Sequence, residues 1–392
     1  MPLAGRLPYP RPSAIWQRMP HPESWMTVTP LGLYCVPGEF YIDPSRAVDR
    51  AVVSHGHADH ARPGHGAVLA TPDTLAIMRA RFGEDRAGDV QEPLPYGQSV
   101  IRNGVRITLL PAGHVLGSAQ VALEWRGSRI VVSGDYKRRR DPTCAPFEPM
   151  ECDVFVTEAT FALPVFRHPP AEHEVRRLLD SVALFPERAH VVGAYALGKT
   201  QRIIALLREA GWDRPIYLHG AVEKLCTVYE ELGVPLGDLR PVPKGLKRGH
   251  PPILAGEIVI APPSAEATPW ARRLADPVTC AASGWMTVRQ RARLRGVELP
   301  LIVSDHADWD ELLDTIAEVR APEIWVTHGR DDALVHALSL RGIRGRALHL
   351  VGRGDEEDEG APEAPPTAEE TAGVAPGGPP EGADGVPVGA GH

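Results

Sequence analysis

Lysine is scarce in this chain: five residues in 392, against 37 arginines. GC-rich coding alone is enough to produce such a bias, so the arginine count does not by itself mark a polyanion binder. Cysteine is also sparse. Cys35, Cys144, Cys152, Cys226 and Cys280 are scattered, odd in number and never spaced as C-x-x-C. That argues against a disulfide scaffold and a cysteine zinc site, and it fits a reducing cytoplasm. No stretch approaches the roughly 20 apolar residues of a membrane span. The first residues carry Arg6, Arg11 and several prolines but no apolar core of a secretory signal. The expected location is therefore cytoplasmic, without a membrane partner.

What is present suits a folded enzyme. The chain is 43% hydrophobic and 23% charged, too apolar for a disordered chain. Its length allows about two domains and some extra, at roughly 100–200 residues each. The net charge of -8 is misleading, because residues 354–392 hold ten acidic side chains and no Lys or Arg. The remaining body is nearly neutral, so a nucleic-acid partner is not excluded. The same tail has 16 Gly or Pro among 39 residues and no aromatic. It cannot bury enough apolar surface to offset its ordering entropy, so a disordered, solvated tail is expected there.

The body alternates apolar runs with helical patterns, which reads as α/β or α+β. Five runs end alike: Ala51-Val52-Val53-Ser54 before His55, Ile130 to Gly134 before Asp135, Val154 to Thr157 before Glu158, Leu301 to Asp305 before His306, and Ile324 to Thr327 before His328. Each is expected to be a buried strand that delivers a metal-ligand or acid–base side chain at its C-terminal end. Five such strands suggest one shared centre on a sheet rim.

The densest motif is Ser54-His55-Gly56-His57-Ala58-Asp59-His60. In extended geometry His55 and His57 point to one side. A turn through Gly56 and Ala58 can carry Asp59 and His60 toward a second ion. Imidazole and carboxylate without thiolate suit Zn, Mn or Fe. His114 in Gly113-His114-Val115-Leu116-Gly117-Ser118, Asp135 in Ser133-Gly134-Asp135-Tyr136 and His328 in Thr327-His328-Gly329 extend the set.

In this order these motifs resemble the metallo-β-lactamase superfamily over residues 26–163 and 299–353. The resemblance implies an αββα sandwich with a two-metal site at the sheet edge. It puts His55, His57 and His114 on one ion, Asp59, His60 and His328 on the other, and Asp135 between them. Asp43, in Tyr41-Ile42-Asp43-Pro44, matches an aspartate that braces the histidine loop. The implied cofactors are two divalent ions, Zn first and Mn as the alternative. Such a pair activates water at neutral pH and clamps an anionic substrate.

Glu158 in Val156-Thr157-Glu158-Ala159-Thr160-Phe161 and His306 in Ser304-Asp305-His306-Ala307-Asp308 look like motifs of the β-CASP nuclease branch, with His328 as the third. That likeness makes His306 the general acid, oriented by Glu158, and includes Asp59 in the catalytic set. It implies a domain order of 1–163, first part of the metallo-β-lactamase domain; 164–298, an inserted α/β β-CASP domain; 299–353, the second part; and 354–392, the disordered acidic tail. Ala282-Ser283-Gly284-Trp285-Met286 resembles the close of that insert. Finer similarity, in Gly32-Leu33-Tyr34-Cys35, Pro111 to Gln120, Ser133 to Lys137 and Tyr195 to Arg202, is to the bacterial ligase-associated DNA exonucleases. This implies a DNA exonuclease working with an ATP-dependent DNA ligase and a helicase in repair. RNA-cutting members typically carry His at the third motif, as here, so an RNA-processing nuclease of the same fold stays open. A non-catalytic nucleic-acid-binding repair subunit is a further alternative.

Gly193-Ala194-Tyr195-Ala196-Leu197-Gly198-Lys199-Thr200 satisfies the phosphate-loop pattern G-x-x-x-x-G-K-[ST] literally. An ATPase built on Lys199 is therefore weighed, although Tyr195 and Leu197 are bulky for such a loop. The preferred expectation is that Lys199 and Arg202 hold a nucleic-acid phosphate at a helix N-terminus. Lys137, opening Lys137-Arg138-Arg139-Arg140, is expected to track the strand. The alternating Arg289, Arg291, Arg293 and Arg295 would share a face only in extended chain.

Overall fold

The computed structural model describes residues 19–243, 254–265, 268, 270–274 and 276–350. The expected disordered tail, 354–392, lies outside them. Among the described residues the strands form three sheets.

The first sheet runs β1 (Met26–Thr29), β2 (Gly32–Cys35), β3 (Phe40–Ile42), β4 (Arg50–Val52), β5 (Ala67–Ala70) and β6 (Val90–Pro93) in spatial order. It begins as antiparallel hairpins and becomes parallel from β3 onward. Parallel pairing needs a crossover, and α1 (Pro72–Phe82) supplies one between β5 and β6. Thr71 caps that helix by accepting from the Thr74 amide, Pro72 follows with its φ already set for the first turn, and Gly83 at φ +90° ends it.

The second sheet starts with the antiparallel meander β7 (Ser99–Arg102), β8 (Val105–Pro111), β9 (Ala119–Trp125) and β10 (Ser128–Val132), then adds β11 (Val154–Thr157) in parallel. Here the chain leaves the sheet. It passes through α2 (Ala171–Leu184), β12 (His190–Gly193), α3 (Lys199–Glu209), β13 (Ile216–Leu218), α4 (Gly220–Glu231), β14 (Leu239–Pro241), β15 (Ile258–Ala261), β16 (Val278–Ala282), α5 (Arg289–Leu294) and β17 (Leu299–Leu301). Those strands form a wholly parallel third sheet in the order β14-β13-β15-β12-β16-β17. The chain then makes α6 (Trp309–Val319), returns to the second sheet as β18 (Glu323–Val326), parallel to β11, and continues through α7 (Asp331–Leu340) to β19 (Arg344–Ala347).

Packing explains the layers. Leu33, Phe40, Ile42 and Val52 of the first sheet pack against Ile107, Val121, Ile130, Val156 and Trp325 of the second. The outer face of the first sheet is covered by Leu75 and Met78 of α1. The outer face of the second is covered by Leu312 and Ile316 of α6 and Leu334 and Leu338 of α7. The result is the expected αββα sandwich. In the third sheet Val192, Ile216, Ile260 and Cys280 meet Leu178, Ile204, Leu207 and Val222 of α2, α3 and α4. Ile77 of α1 and Leu116 of the His114 loop join that same core, so the third sheet's helical layer touches the segments that carry the candidate ligands.

Two expectations need correction. Leu301 to Asp305 is not one buried strand. Leu299–Leu301 closes the third sheet, and residues 302–304 form a connector. Its polar backbone groups find side chains: the Glu174 carboxylate accepts from the Ile302 amide, Lys199 donates to the Val303 carbonyl, and Arg202 donates to the Ser304 carbonyl. Arg289, Arg291, Arg293 and Arg295 do not line a common face, because Arg289–Leu294 is helical and Arg291 lies over the Trp285 ring.

Candidate metal centre

The candidate ligands stand at strand ends. His55, His57, Asp59 and His60 follow β4, His114 follows β8, Asp135 follows β10, and His328 follows β18. Tight backbone turns aim them. Gly113 adopts φ +74°, and a Cβ there would lie 2.4 Å from the Lys137 carbonyl. His328 itself sits at φ +59°, a conformation that costs energy in a non-glycine residue and is held by its surroundings.

Seven side chains converge on two adjacent foci. His55, His57, His114 and Asp135 offer ligand atoms at one, and Asp59, His60 and His328 at the other. His57 Nδ1 lies 3.1 Å from His55 Nε2 and 2.9 Å from His114 Nε2. Asp135 Oδ2 is 3.5 Å from His55 Nε2, 3.9 Å from His114 Nε2 and 3.3 Å from His60 Nε2, so it reaches both foci. Asp59 Oδ2 is 3.3 Å from His60 Nε2 and 3.7 Å from His328 Nε2. Donors sharing one tetrahedral zinc at about 2.0–2.1 Å lie roughly 3.3 Å from one another. The spacing therefore fits the inferred pair of divalent ions. His60 Nε2 supports this independently: it is buried and completes no hydrogen bond, although two carboxylates stand 3.3 Å away.

Neighbouring groups set each ring. A carbonyl can only accept, so His57 donates from Nε2 to the Leu197 carbonyl (3.3 Å), leaving the Nδ1 lone pair for a cation. His114 does the reverse, donating from Nδ1 to the Asp305 carbonyl (2.8 Å) and presenting Nε2. Asp43 accepts from the Ser54 amide (2.7 Å), the Ser54 hydroxyl (2.6 Å) and His60 Nδ1 (2.8 Å). The Ser54 oxygen in turn is 3.0 Å from His55 Nδ1. These outer partners fix tautomer and orientation. Burial, reinforced by neighbouring imidazoles, pushes His114 down to about 3 and His55 well below the ordinary value, so both rings are neutral and have a nitrogen lone pair to offer a cation. Burial opposes charge on His60 too, but Asp135, Asp59 and Asp43 hold its pKa well above normal. That concentration of carboxylate calls for positive charge at this point.

Beside the ligands, Glu158 and His306 form a buried pair. Glu158 Oε1 accepts from the Tyr136 amide (2.7 Å), and Oε2 lies 2.8 Å from His306 Nδ1. The His306 ring lies tilted beside that of His114, with ring centroids 4.7 Å apart. Asp135, Glu158 and His306 also lie close enough to share an ion.

The cations expected to touch nucleic acid are placed otherwise. Lys137, Lys199 and Arg202 are buried and pair with Asp141 and Asp305. Arg138 pairs with Glu318, Arg139 with Asp308 and Glu311, and Arg140 with Glu209. The phosphate-loop reading fails on the same geometry. Lys199 is 1% exposed, the Thr200 hydroxyl donates to the Tyr195 carbonyl, and a Cβ on Gly198 would strike Val115 at 2.3 Å. Lys199 and Thr200 are therefore not presented to a triphosphate. Asp141, the Asp305 carboxylate and the Leu197 carbonyl went unnoticed in the sequence. Asp141 has a local partner in Lys137, four positions before it, but the Leu197 carbonyl and the Asp305 carboxylate meet partners 140 and 103 positions away.

Residues 43–191 match the model of the Metallo-beta-lactamase superfamily, and the chain carries a metallo-β-lactamase domain. It is 29% identical over 344 residues to a protein of Opitutus terrae named as a probable DNA ligase, which covers 86% of this chain and 32% of that one. It is 29% identical to cleavage and polyadenylation specificity factor subunit 3 of Dictyostelium discoideum, over 46% of this chain and 28% of that protein. An RNase J-like protein of Methanocaldococcus jannaschii is 28% identical over 49% of this chain and 52% of its own length. The chain thus spans only about a quarter to a half of the length of these relatives.

Proposed function

We propose that this chain is a two-metal nuclease that hydrolyses phosphodiester bonds, and specifically a DNA exonuclease acting with a DNA ligase in repair. The observation that carries the hydrolytic reading is the convergence of seven metal-ligating side chains beside the buried Glu158–His306 pair. Two divalent cations at the foci, with zinc as the first candidate, would supply Lewis-acid activation of water and neutralise a phosphodiester. The chain's own residues then divide the remaining work. Asp135 places carboxylate charge between the two foci, and Asp59 places it at the second. Glu158 fixes the His306 ring through Nδ1, which makes Nε2 the atom that delivers a proton to the leaving oxygen. The inserted segment that carries the parallel third sheet is the β-CASP domain of this reading; its last strand, β17 (Leu299–Leu301), takes it past the expected boundary at residue 298.

DNA is favoured because the similarity to the Opitutus protein runs through most of the chain, and the rest of that longer protein leaves space for the joining activity in its name. An RNA-processing nuclease is the second reading. It draws on the polyadenylation-factor and RNase J-like relatives, each matched over about half of the chain. The decisive experiment incubates the purified protein with 5′- and 3′-labelled DNA and RNA in Zn or Mn. Stepwise loss of nucleotides from DNA ends supports the proposal. Internal cuts confined to RNA would replace it, and no cleavage of either would refute hydrolysis.

A further inference from the structure

Behind the metal centre lies a set of buried charges that the proposed chemistry does not use. Lys199 Nζ is 2.9 Å from Asp305 Oδ2, and Arg202 Nη1 is 3.1 Å from Asp305 Oδ1. Lys137 Nζ is 2.6 Å from Asp141 Oδ2, and Arg202 Nε is 3.5 Å from that same oxygen. Two carboxylates thus bridge three cations. Lys137 and Asp141 follow β10, whereas Lys199 and Arg202 open α3 beside the third sheet. Desolvating ions is costly, so a set of this kind is weak evidence for stability and needs another reason.

Its output is the position of backbone carbonyls. Lys199 donates to the Val303 carbonyl (3.3 Å), Arg202 to that of Ser304, and Lys137 to that of His114 (3.3 Å). The 303–305 chain is thereby pinned, and its next carbonyl, on Asp305, is the one that accepts from His114 Nδ1. The loop just before Lys199 contributes the Leu197 carbonyl that accepts from His57 Nε2. Two imidazoles of the same focus therefore have their non-coordinating nitrogens held by carbonyls placed through these ion pairs.

We propose that Lys199, Arg202 and Asp305 are positioning residues that set the tautomers of His57 and His114 and so make metal affinity depend on the docking of α3 against the 303–305 segment. The loop that imitates a phosphate-binding sequence is, on this view, a brace for metal ligands. The inference rests on the metal-centre reading above. Losing an outer partner of a ligating histidine typically weakens metal binding 10–100-fold.

The test uses the full chain, stripped of metal and titrated with zinc against a chromophoric chelator. Lys199→Met and the double variant Lys199→Met/Asp305→Asn are compared with the wild type and with Lys199→Arg. Both Met variants should bind zinc at least tenfold more weakly, and Lys199→Arg should recover part of the loss. In Lys199→Met the Asp305 carboxylate keeps Arg202 as a partner, whereas the double variant leaves Arg202 only Asp141, so its zinc affinity should be no higher than that of Lys199→Met. Affinity that returns to the wild-type value would overturn the proposal. A measurement on the wild type guards against variants that do not fold. In ¹⁵N-histidine NMR of the zinc-loaded protein, His57 should bind zinc through Nδ1 with its proton on Nε2, and His114 the reverse; other tautomers overturn the proposal. A wild type that takes up no zinc would sink the metal-centre reading, and this inference with it.

Discussion

Asp43→Asn tests how far the histidine loop depends on one carboxylate. Asp43 is 2% exposed and accepts three hydrogen bonds, one on Oδ1 and two on Oδ2. Asparagine keeps the shape but has a single acceptor oxygen. If that oxygen stays with the Ser54 amide, the new NH2 group faces the Ser54 hydroxyl and His60 Nδ1, both of which donate in the native arrangement. If the amide flips, the NH2 faces the Ser54 backbone N–H, which cannot turn away. One or two buried bonds to a charged group are lost in either case, at about 1.5–3 kcal/mol each. Backbone strain does not confound the result, because Asp43 sits at φ +44° and Asn tolerates that region well. His60 can escape by moving its proton to Nε2, but that sacrifices the nitrogen offered to the second focus. The expected outcome is a lower melting temperature without metal and a 10–100-fold weaker affinity for one of the two ions. Differential scanning calorimetry and a zinc titration with stoichiometry read both. Unchanged melting together with two ions bound at wild-type affinity would refute this account of the loop.

Further expectations concern chemistry, pH and nucleotide. His306→Asn should slow cleavage about 10²–10⁴-fold with metal stoichiometry unchanged; loss of an ion would make His306 a ligand. Asp59→Ala with His60→Ala should abolish cleavage of labelled DNA in a protein that remains folded, and retained cleavage would rule out the site. His65 is buried, accepts from the Val48 amide, and has its pKa pushed down to about 4 by burial, with Asp43 opposing in part. An unfolded histidine titrates near 6.5. The unfolded state therefore takes up a proton that the folded state refuses between pH about 6.5 and about 4, and stability is full above that window and falls within it. His65→Asn should flatten the slope of melting temperature against pH there; an unaltered slope would contradict this. Because Lys199 is ion-paired and enclosed, adding ATP should leave the melting temperature unmoved, and a clear rise would restore the nucleotide reading.

The fold was legible where pattern and local chemistry agree. The inner strand β15 of the third sheet is an unbroken apolar run, Ile258–Ala261, because both its faces are buried. Ile302 to Ser304 reads the same way, yet it is a connector, because Glu174, Lys199 and Arg202 take its backbone groups in place of a neighbouring strand. Lys199 shows the opposite failure. Its surrounding sequence matches a phosphate loop, but glycines that fit phosphate also fit close approach to Val115, and only the neighbour in space tells the two apart.

The sequence by itself determined the ligand chemistry. Histidine and carboxylate donors follow short apolar runs, and the spacing from His55 to His60 confines four of them to one turn, because donor type and local geometry are carried by adjacent residues. Tertiary structure decided which nitrogen each histidine offers and where the spare cations go. Those depend on a carbonyl at Leu197, another at Asp305 and a carboxylate 103 positions from Arg202. A tautomer is set by whichever acceptor packing brings to the ring, and a lysine becomes a contact or a brace according to whether water can reach it.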